Sequence, residues 1–305
     1  MINVVVVNWN AGLQLKNCID SLDSDLVTKI VVVDNGSTDK SSELVASLPK
    51  VHMIYAMVNL GFAKACNLGA RNLNADYLLF LNPDAAVFHG TLERALTFMQ
   101  DAANSRVGVC GVQLKDELGH TARSCARFPD PWRFFAHAVG LDRIFPRLGH
   151  SMTEWTHETT QTVDHVIGAF YFVRRSLFES LGGFDERFFV YLEDLDFSLR
   201  ARQAGWLSVY LADVNAFHAG GGTSKQVKAR RLFYSLRSRL LYAVKHFGWL
   251  GAIPVISATL LFEPVSRSAW ALAIRSLATL RETWQGYVML WRWLLRRISK
   301  DSLKN

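Results

Sequence analysis

The chain lacks the short glycine-rich motifs that bind nucleotides in two large groups of proteins. It has no G-x-x-x-x-G-K-[ST] loop, and no G-x-G-x-x-G follows its first strand-like run. The first absence excludes a P-loop, and the second argues against an NAD-dependent oxidoreductase on a Rossmann-type sheet. The four cysteines are scattered and include no C-x-x-C pair, which predicts reduced, structural thiols in a cytosolic protein. They are Cys18, Cys66, Cys110 and Cys125.

Long apolar runs are also missing. No stretch of 18 or more residues is both free of charge and strongly apolar, so no transmembrane helix is predicted. Met1-Ile2-Asn3 leads directly into a strand-like run without a basic region or a cleavage site, and we therefore expect no signal peptide. There is no internal repeat and no low-complexity tract. A chain of 305 residues that is 50% hydrophobic is long enough for one large domain, or for one and a half.

Residues 76–86, DYLLFLNPDAA, form the stretch around which we expect the chain to be organised. Residues 77–81 are apolar, too few for a helix and bounded by polar residues, which predicts a strand buried on both faces. Pro83 cannot donate to a strand ladder, so the chain should leave the sheet there. Asp84 is then presented at the carboxyl end of a buried strand, where open α/β sheets bind ligands. Alternatively, Asp84 only caps a helix that starts near Thr91.

Strands and helices alternate over the first hundred residues, which predicts right-handed βαβ units and an α/β fold with a mostly parallel central sheet flanked by helices. A less regular part follows, with a loop around residues 128–132 and a polar segment at 150–164. We expect strands at 3–9, 29–33, 51–55, 77–81, 107–114, 166–173 and 207–211, and helices at 13–22, from 38 or 39 to 48, at 59–73 and at 192–203.

Polar residues follow two of the expected strands. Asp34 ends the second strand, and its carboxylate can accept a hydrogen bond from a pyrimidine imide or a ribose hydroxyl. The Asp-Asn-Gly sequence at this point also favours a turn for purely local reasons. Because the chain has no P-loop, a diphosphate ligand would need a bound divalent metal. Asp84 and the amide of Asn82 offer the hard oxygen ligands that Mg²⁺ and Mn²⁺ prefer.

A second group of acids lies among aromatic residues at 184–196. Glu193 and Asp194 are placed at a predicted helix N-terminus, where they could merely complement the helix dipole. The dipole does not explain the crowding of aromatic side chains, and a carboxylate in an aromatic cleft has a raised pKa that suits a general base. His218 precedes a glycine-rich loop, and a structural role and a metal-ligand role are both open for it.

Taken together, these stretches resemble the family 2 glycosyltransferases with the GT-A fold, in particular their rhamnosyltransferase-like branch. The resemblance covers roughly residues 2–224 in consistent order, and its specificity comes from the ordered set. The matching segments are Asn8-Trp9-Asn10, Val33-Asp34-Asn35-Gly36-Ser37-Thr38-Asp39, Asn59-Leu60-Gly61-Phe62-Ala63, Leu81-Asn82-Pro83-Asp84, Gly168-Ala169, Gly182-Gly183-Phe184-Asp185-Glu186-Arg187-Phe188-Phe189, Tyr191-Leu192-Glu193-Asp194-Leu195-Asp196 and His218.

The resemblance implies an inverting, metal-dependent enzyme that uses a nucleotide sugar. Asp194 would be the catalytic base with Glu193 in support, and Asp84 and His218 would hold Mg²⁺ or Mn²⁺. The first position of the family's D-x-D-type motif is here Asn82, which puts a metal site with two carboxylates from this motif in doubt. The implied donor-binding residues are Asn8, Trp9, Asn10, Asp34, Asn35, Gly61, Asn82 and Arg127, and the implied acceptor-binding residues are Gly168 and Ala169.

For the substrates, the resemblance favours dTDP-rhamnose as donor, with other dTDP-, UDP- and GDP-sugars left open. The acceptor would be a hydroxyl of a glycan or of a polyprenyl-diphosphate-linked sugar in cell-envelope polysaccharide synthesis. No nucleic acid partner is expected, and homo-oligomer formation stays open. A hypothesis from another class is a non-catalytic nucleotide-sugar-binding subunit that tethers partners at the membrane. Such a subunit could lose its acids, yet Asp84, Glu193, Asp194 and His218 are all present.

The C-terminal region differs from the rest in charge. Residues 225–305 contain 15 Lys/Arg and 3 Asp/Glu, whereas residues 1–224 contain 19 and 24, and five of the nine tryptophans lie in the C-terminal region. We therefore expect a catalytic domain at 1–224 and a basic, Trp-rich helical region at 225–305 with a break at Pro264. This region either attaches peripherally to the anionic cytoplasmic face of the inner (plasma) membrane or forms a structural cap.

Overall fold

The computed structural model describes residues 1–220 and 227–302, and the side chains of residues 1–220 and 227–297. The chain divides into two compact units. We call them the sheet unit, which comprises residues 1–128, 151–189 and 193–223, and the helical unit, which comprises residues 129–150, 190–192 and 224–305. The predicted domain boundary near residue 224 falls among residues that the structure does not describe, as do Gly221 and Gly222, and it stays a prediction.

The elements have the following bounds. The strands are β1 (Ile2–Asn8), β2 (Val27–Asn35), β3 (Val51–Ala56), β4 (Tyr77–Leu81), β5 (Ala85–Val87), β6 (Val107–Lys115), β7 (Cys125–Ala126), β8 (Gln161–Val163), β9 (His165–Val166), β10 (Phe170–Arg174) and β11 (Leu207–His218). The helices are α1 (Leu13–Asp20), α2 (Phe62–Ala70), α3 (Thr91–Gln100), α4 (Pro131–Val139), α5 (Arg175–Ser180), α6 (Glu193–Gln203), α7 (Lys228–Ser257), α8 (Glu263–Ala273) and α9 (Leu277–Ser302).

The central sheet is mixed and mostly parallel, with strand order β3-β2-β1-β4-β10-β6-β11-β5 and β8 paired to β11. Strands β1, β2, β3 and β4 run parallel, as do β6 and β11. Strand β10 runs antiparallel to both β4 and β6, and β5 runs antiparallel to β11. The predicted α/β fold with a mostly parallel sheet is confirmed. The carboxyl ends of β1, β2 and β4 therefore meet at the edge where β10 begins.

Both faces of the central strands are covered. Every residue of β1 and of β4 is buried. Along β1, Val4 and Val6 pack into one hydrophobic core and Val5 and Val7 into the other. Since successive side chains of a strand point to opposite faces, this alternation explains why β1 is an unbroken valine run. All four cysteines are free and buried, as predicted.

Two local predictions were wrong for reasons of hydrogen bonding. The expected helix from 38 or 39 to 48 is only a 3₁₀ turn at Ser41–Leu44. The Asp39 carboxylate accepts from both the backbone N–H and the hydroxyl of Ser41, at 3.1 and 2.6 Å, and such local bonds compete with an α-helix. The expected loop around residues 128–132 contains the start of α4. Asp130 caps that helix by accepting from Arg133 N–H at 2.8 Å, and Pro131 lies in the first turn, where its missing N–H costs nothing.

Two strand predictions also need correction. The strand expected at 166–173 is interrupted after Val166 and resumes as β10 at Phe170. The strand expected at 207–211 continues to His218, because its second half pairs with β6 on one side and with β5 on the other. His218 is therefore the last residue of a paired strand rather than part of a loop.

In the helical unit, the predicted break at Pro264 is absent. Pro264 lies in the first turn of α8, and a π-helical turn at Ala258–Phe262 joins α7 to α8. The interruptions lie elsewhere, at Gly248 inside α7 and at Arg275 after α8, where φ is 66° and 51°. Counted as one segment across the kink at Gly248, residues 228–273 are long and apolar enough to cross a membrane by length and composition alone. The sequence analysis had not predicted such a segment.

Candidate functional site

The carboxyl ends of β1 and β2 are joined by the side chain of Asn8. Its amide nitrogen donates to Asp34 Oδ1 at 3.1 Å and lies within hydrogen-bond distance of the hydroxyls of Ser37 and Ser41, at 3.2 and 2.8 Å. Asn8 and Asp34 are adjacent in the register of the two strands. Asn10 joins the same loop, because its Oδ1 accepts from Thr38 N–H at 2.7 Å. Asn8 therefore holds in place the carboxylate that the sequence assigned to the donor base.

The loop before α2 is fixed to the end of β2 by Asn35. Its Oδ1 accepts from Leu60 N–H at 2.7 Å, and its amide donates to Asn59 Oδ1 at 3.1 Å. Gly61 has a φ of 86°, and a Cβ there would lie 2.4 Å from the carbonyl oxygen of Phe189. Only glycine fits at position 61, where the loop before α2 passes close to the backbone of Phe189. Of the predicted donor residues, Asn8, Asp34 and Asn35 thus lie at the ends of β1 and β2, and Trp9, Asn10 and Gly61 lie on the loops after β1 and β3.

Asp84 and His218 lie side by side after β4 and at the end of β11. Ala85 of β5 pairs with His218 of β11, and this register brings Asp84 Oδ1 to 3.4 Å from His218 Nε2. Both side chains are about nine-tenths buried. In the part of the chain that the structure describes, no third His, Cys, Asp or Glu joins them in a cluster that could hold a metal.

The start of β10 links this corner to α6. The backbone N–H of Asn82 donates to the carbonyl of Ala169 at 3.1 Å, and the backbone N–H of Gly168 donates to Asp194 Oδ2 at 2.7 Å. The other carboxylate oxygen, Oδ1, accepts from Leu195 N–H at 2.8 Å. The loop that carries Asp84 and the carboxylate of Asp194 are therefore bound to two consecutive residues, Ala169 and Gly168 respectively.

Glu193, next to Asp194, is 4% exposed, and among the described residues its Oε2 has no hydrogen-bond partner. Burial, together with the neighbouring carboxylates of Asp194 and Asp196, raises the pKa of Glu193 well above its ordinary value of 4.5. Asp196, which is fully buried, is instead paired with the guanidinium of Arg200 at 2.8 Å. The surroundings of Glu193 therefore favour its protonated form over that of a carboxyl in water, whereas Asp194 and Asp196 have hydrogen-bond donors for their carboxylates.

Arg127 lies near the end of β7 and forms an ion pair with Glu154. Its Nη1 is buried and has no hydrogen-bond partner among the described residues. A guanidinium N–H without a partner can still donate to an oxyanion, and the contact of Arg127 with a diphosphate or an acceptor stays a prediction.

The sequence analysis missed a buried row of polar side chains next to Asp194, which consists of His165, Ser198 and Tyr171 and which we call the polar line. His165 of β9 lies with Nε2 3.6 Å from Asp194 Oδ2 and with Nδ1 3.1 Å from the hydroxyl of Ser198, which is 2.8 Å from the hydroxyl of Tyr171. No motif or spacing marks His165. The only local sign is its position three residues before Gly168.

The family model for glycosyl transferase family 2 matches residues 3–182, which is more than half of the chain. The chain belongs to this glycosyltransferase family. The glycosyltransferase is 30% identical over 266 residues to an N-acetylglucosaminyl-diphospho-decaprenol L-rhamnosyltransferase of Mycobacterium tuberculosis, covering 81% of this chain and 85% of the relative. Over 256 residues it is 24% identical to the rhamnosyltransferase WbbL of Escherichia coli, covering 80% and 93%. Over 230 residues it is 24% identical to the dTDP-rhamnosyl transferase RfbF of Shigella flexneri, covering 74% and 71%.

Among solved structures, the glycosyltransferase is similar to the mannosyltransferase PcManGT of Pyrobaculum calidifontis in complex with GDP-Man and Mn²⁺. The TM-score is 0.54 at 19% identity, over 94% of this chain and 79% of the other. This likeness establishes the GT-A fold. The relatives and the family model together establish a glycosyltransferase enzyme of the rhamnosyltransferase-like branch, as the sequence had indicated.

The protonated state of Glu193 predicts a stability effect with a definite pH dependence. Because the pKa of Glu193 is higher in the folded state than the ordinary 4.5, the folded state binds more protons above that pH. The free energy of unfolding that this group contributes therefore falls as the pH rises from 4.5 towards the folded pKa. Glu193→Gln keeps the shape of the neutral acid and does not titrate. The variant should gain stability relative to the wild type between about pH 5 and about pH 8, by at most ~1.4 kcal/mol per pH unit.

Thermal denaturation at the two pH values measures this difference. Glu179→Gln, at a carboxylate that is about half exposed, is the matched control. A constant difference between Glu193→Gln and the wild type at both pH values would contradict a buried, protonated Glu193.

Proposed function

We propose that this glycosyltransferase moves rhamnose from dTDP-rhamnose to a hydroxyl of a glycan or polyprenyl-diphosphate-linked acceptor in cell-envelope polysaccharide synthesis. The names of its relatives support each part of this proposal. The Mycobacterium tuberculosis relative is named for rhamnosyl transfer to N-acetylglucosaminyl-diphospho-decaprenol, and the Shigella flexneri relative for dTDP-rhamnose.

The observation that carries the proposal is the shared attachment at the start of β10. Asn82 binds Ala169 through one backbone hydrogen bond, and Asp194 binds Gly168 through another. A donor diphosphate held beside Asp84 and an acceptor hydroxyl beside Asp194 would thus meet at one edge of the sheet. This is the edge at which parallel α/β sheets bind ligands.

In the proposed reaction, Asp194 takes the proton of the acceptor hydroxyl as the oxygen attacks the anomeric carbon. The new carbon–oxygen bond forms on the face opposite the nucleotide, and the bond to the diphosphate breaks with its electron pair leaving on the phosphate oxygen. One displacement of this kind inverts the configuration. Asp34 and Asn35 would orient the nucleoside, and Arg127 would contact the diphosphate or the acceptor.

Asp84 and His218 suit a divalent cation. Asp84 would supply a carboxylate oxygen, which Mn²⁺ and Mg²⁺ both prefer, and His218, 3.4 Å away in the same mostly buried corner, would supply an imidazole nitrogen. Mg²⁺ in proteins is commonly held by one or two carboxylates with substrate phosphates as the other ligands, so two protein ligands suffice. When bound, the cation would stabilise the negative charge of the leaving diphosphate.

We further propose that the helical region at 225–305 attaches the enzyme to the anionic cytoplasmic face of the membrane, beside a catalytic domain at 1–224. Large apolar side chains are exposed from residue 249 to residue 277, more than a monomer normally leaves in water. They are Trp249, Leu250, Ile253, Leu261, Phe262, Val265, Trp270, Leu272, Ile274 and Leu277. Exposed arginines follow on α9, at Arg281, Arg292, Arg296 and Arg297. Apolar groups beside basic groups are typical of surfaces that bind anionic lipid.

Asp194→Asn tests the base. The amide keeps an oxygen for Gly168 N–H but cannot take a proton, so kcat should fall by about 10²–10⁴-fold while nucleotide binding stays within about twofold. Transfer is measured with a panel of labelled dTDP-, UDP- and GDP-sugars, and Asp20→Asn at an exposed position is the control. An active Asp194→Asn enzyme would remove the base assignment, and a stronger preference for another nucleotide sugar would overturn the donor.

Asp84→Ala tests the cation site. Removal of the Asp84 carboxylate beside His218 should weaken metal-dependent donor binding by at least about 10-fold. Calorimetric titration with the donor nucleotide, in the presence and absence of Mn²⁺, measures the metal response. Asp213→Ala, at an exposed carboxylate of β11, is the control. An undiminished metal response in Asp84→Ala would refute the site.

Trp249→Glu combined with Leu250→Glu tests the membrane surface. Both side chains are more than 70% exposed, so the change should leave folding intact and reduce pelleting with anionic vesicles several-fold. Leu118→Glu, in an exposed turn of the sheet unit, is the control for the added charge. Equal partitioning of the double variant and the wild type would count against this surface.

A further inference from the structure

The polar line behind Asp194 is too deeply buried to be incidental. His165, Ser198 and Tyr171 are 3%, 1% and 0% exposed, and they come from β9, α6 and β10. Buried polar atoms of this kind need hydrogen-bond partners, and each of these three finds its partner in the next. The line ends at Asp194 Oδ2, which lies 3.6 Å from His165 Nε2.

The order of donors along this line follows from its outer end. A lone pair of His165 Nε2 directed at the Asp194 carboxylate would be electrostatically unfavourable, so the imidazole carries its hydrogen on Nε2. His165 Nδ1 is then an acceptor for the hydroxyl of Ser198, at 3.1 Å. The hydroxyls of Tyr171 and Ser198 are 2.8 Å apart and either can donate to the other, and with the Ser198 hydrogen directed at His165 the donor of this pair is Tyr171.

The imidazole is neutral in this arrangement. Burial lowers the pKa of His165, and the opposing influence of Asp194 and Asp164 is smaller. The other titratable and charged groups coupled to this buried region are Glu193, Asp196, Arg200 and Cys66. At 3.6 Å the Nε2–H group of His165 is just outside hydrogen-bond distance of Asp194 Oδ2, and its dipole points a partial positive charge at the carboxylate without adding a full charge.

We propose that His165 is a positioning residue for glycosyl transfer, which holds the Asp194 carboxylate in a fixed orientation through its Nε2–H group. This inference rests on the proposed role of Asp194 as base. Oδ2 faces Gly168 N–H at 2.7 Å and His165 Nε2 at 3.6 Å, whereas the one hydrogen bond that Oδ1 accepts from the described residues comes from Leu195 N–H. Oδ1 therefore has the lone pair to spare and is the oxygen that takes the acceptor proton. The 3.6 Å separation should shorten when the substrates bind, as is common at catalytic hydrogen bonds.

The tautomer is tested first, because that test does not depend on activity. In the full chain labelled with ¹⁵N-histidine, long-range ¹H–¹⁵N spectra should place the hydrogen of His165 on Nε2 near neutral pH. In Ser198→Ala, which removes the donor to Nδ1, part of the population should move to the other tautomer. A hydrogen on Nδ1 in the wild type would overturn the proposal, even if Asp194 is the base.

Kinetics test the effect on the base. His165→Phe removes the donor, so protonation of the base becomes easier, and the acidic limb of the kcat–pH profile should move to higher pH. The kcat value should fall on the order of 10-fold with an unchanged KM for the donor. His165→Gln restores an N–H donor and should return the acidic limb of the kcat–pH profile towards its wild-type position. A purely structural role of His165 would not predict this return.

His52→Phe, at an exposed histidine of β3, is the matched control. If His165→Phe does not fold, Ser198→Ala keeps the imidazole and should move the limb in the same direction. An acidic limb and a kcat that stay unchanged in Ser198→Ala and in every folded His165 variant would refute the positioning role. If no variant or wild-type enzyme transfers sugar, the proposed function fails, while the tautomer measurement still stands alone.

Discussion

The hydrogen bond from Gly168 N–H to the Asp194 carboxylate fixes the geometry of the whole site. It joins the residue that precedes β10 to the N-terminus of α6, two elements that the chain reaches far apart. A Cβ at position 168 would lie 3.1 Å from Asp194 Oδ2, so a larger residue would press against the carboxylate. Through the adjacent Ala169, the same segment holds Asn82 and with it the loop of Asp84. A shift of β10 along β4 would separate the acid from the cation site.

This corner of the molecule contains three acids at the start of one helix, and the protein stabilises each in a different way. Asp194 accepts two backbone N–H groups, and Asp196 is paired with Arg200. Glu193 is not paired with a cation among the described residues, and burial beside two other carboxylates raises its pKa. The helix dipole favours negative charge here, but its effect is too small to hold three buried anions side by side. The separate environments leave Asp194 as the acid that combines two backbone hydrogen bonds with partial exposure.

Much of the fold could be predicted, because the central strands are determined by local pattern. Tyr77–Leu81 was predicted with the bounds that the structure has, since Asp76 and Pro83 delimit an apolar run that only a buried strand explains. The errors arose where a local signal has two meanings. Pro131 indicates a loop by composition but begins α4 because Asp130 caps that helix. The segment after Asp39 has helical residues, but its serines bond to Asp39 and Asn8 instead.

The residues of the site fall into two groups in the same way. Some lie at the ends of strands that the sequence predicts, and others are brought into the site only by the pairing of strands. Asp34 and Asp84 follow buried strands, so their common edge could be inferred from the order of elements. The contact of His218 with Asp84 depends on the antiparallel register of β5 against β11, and β5 is three residues long. No periodicity identifies a strand of that length. His165 is even harder to identify from the sequence, because its proposed role depends on the hydroxyls of Ser198 in α6 and Tyr171 in β10. A sequence can therefore indicate which residues carry a reaction, whereas the residues that hold them in place become visible only when the strands are paired.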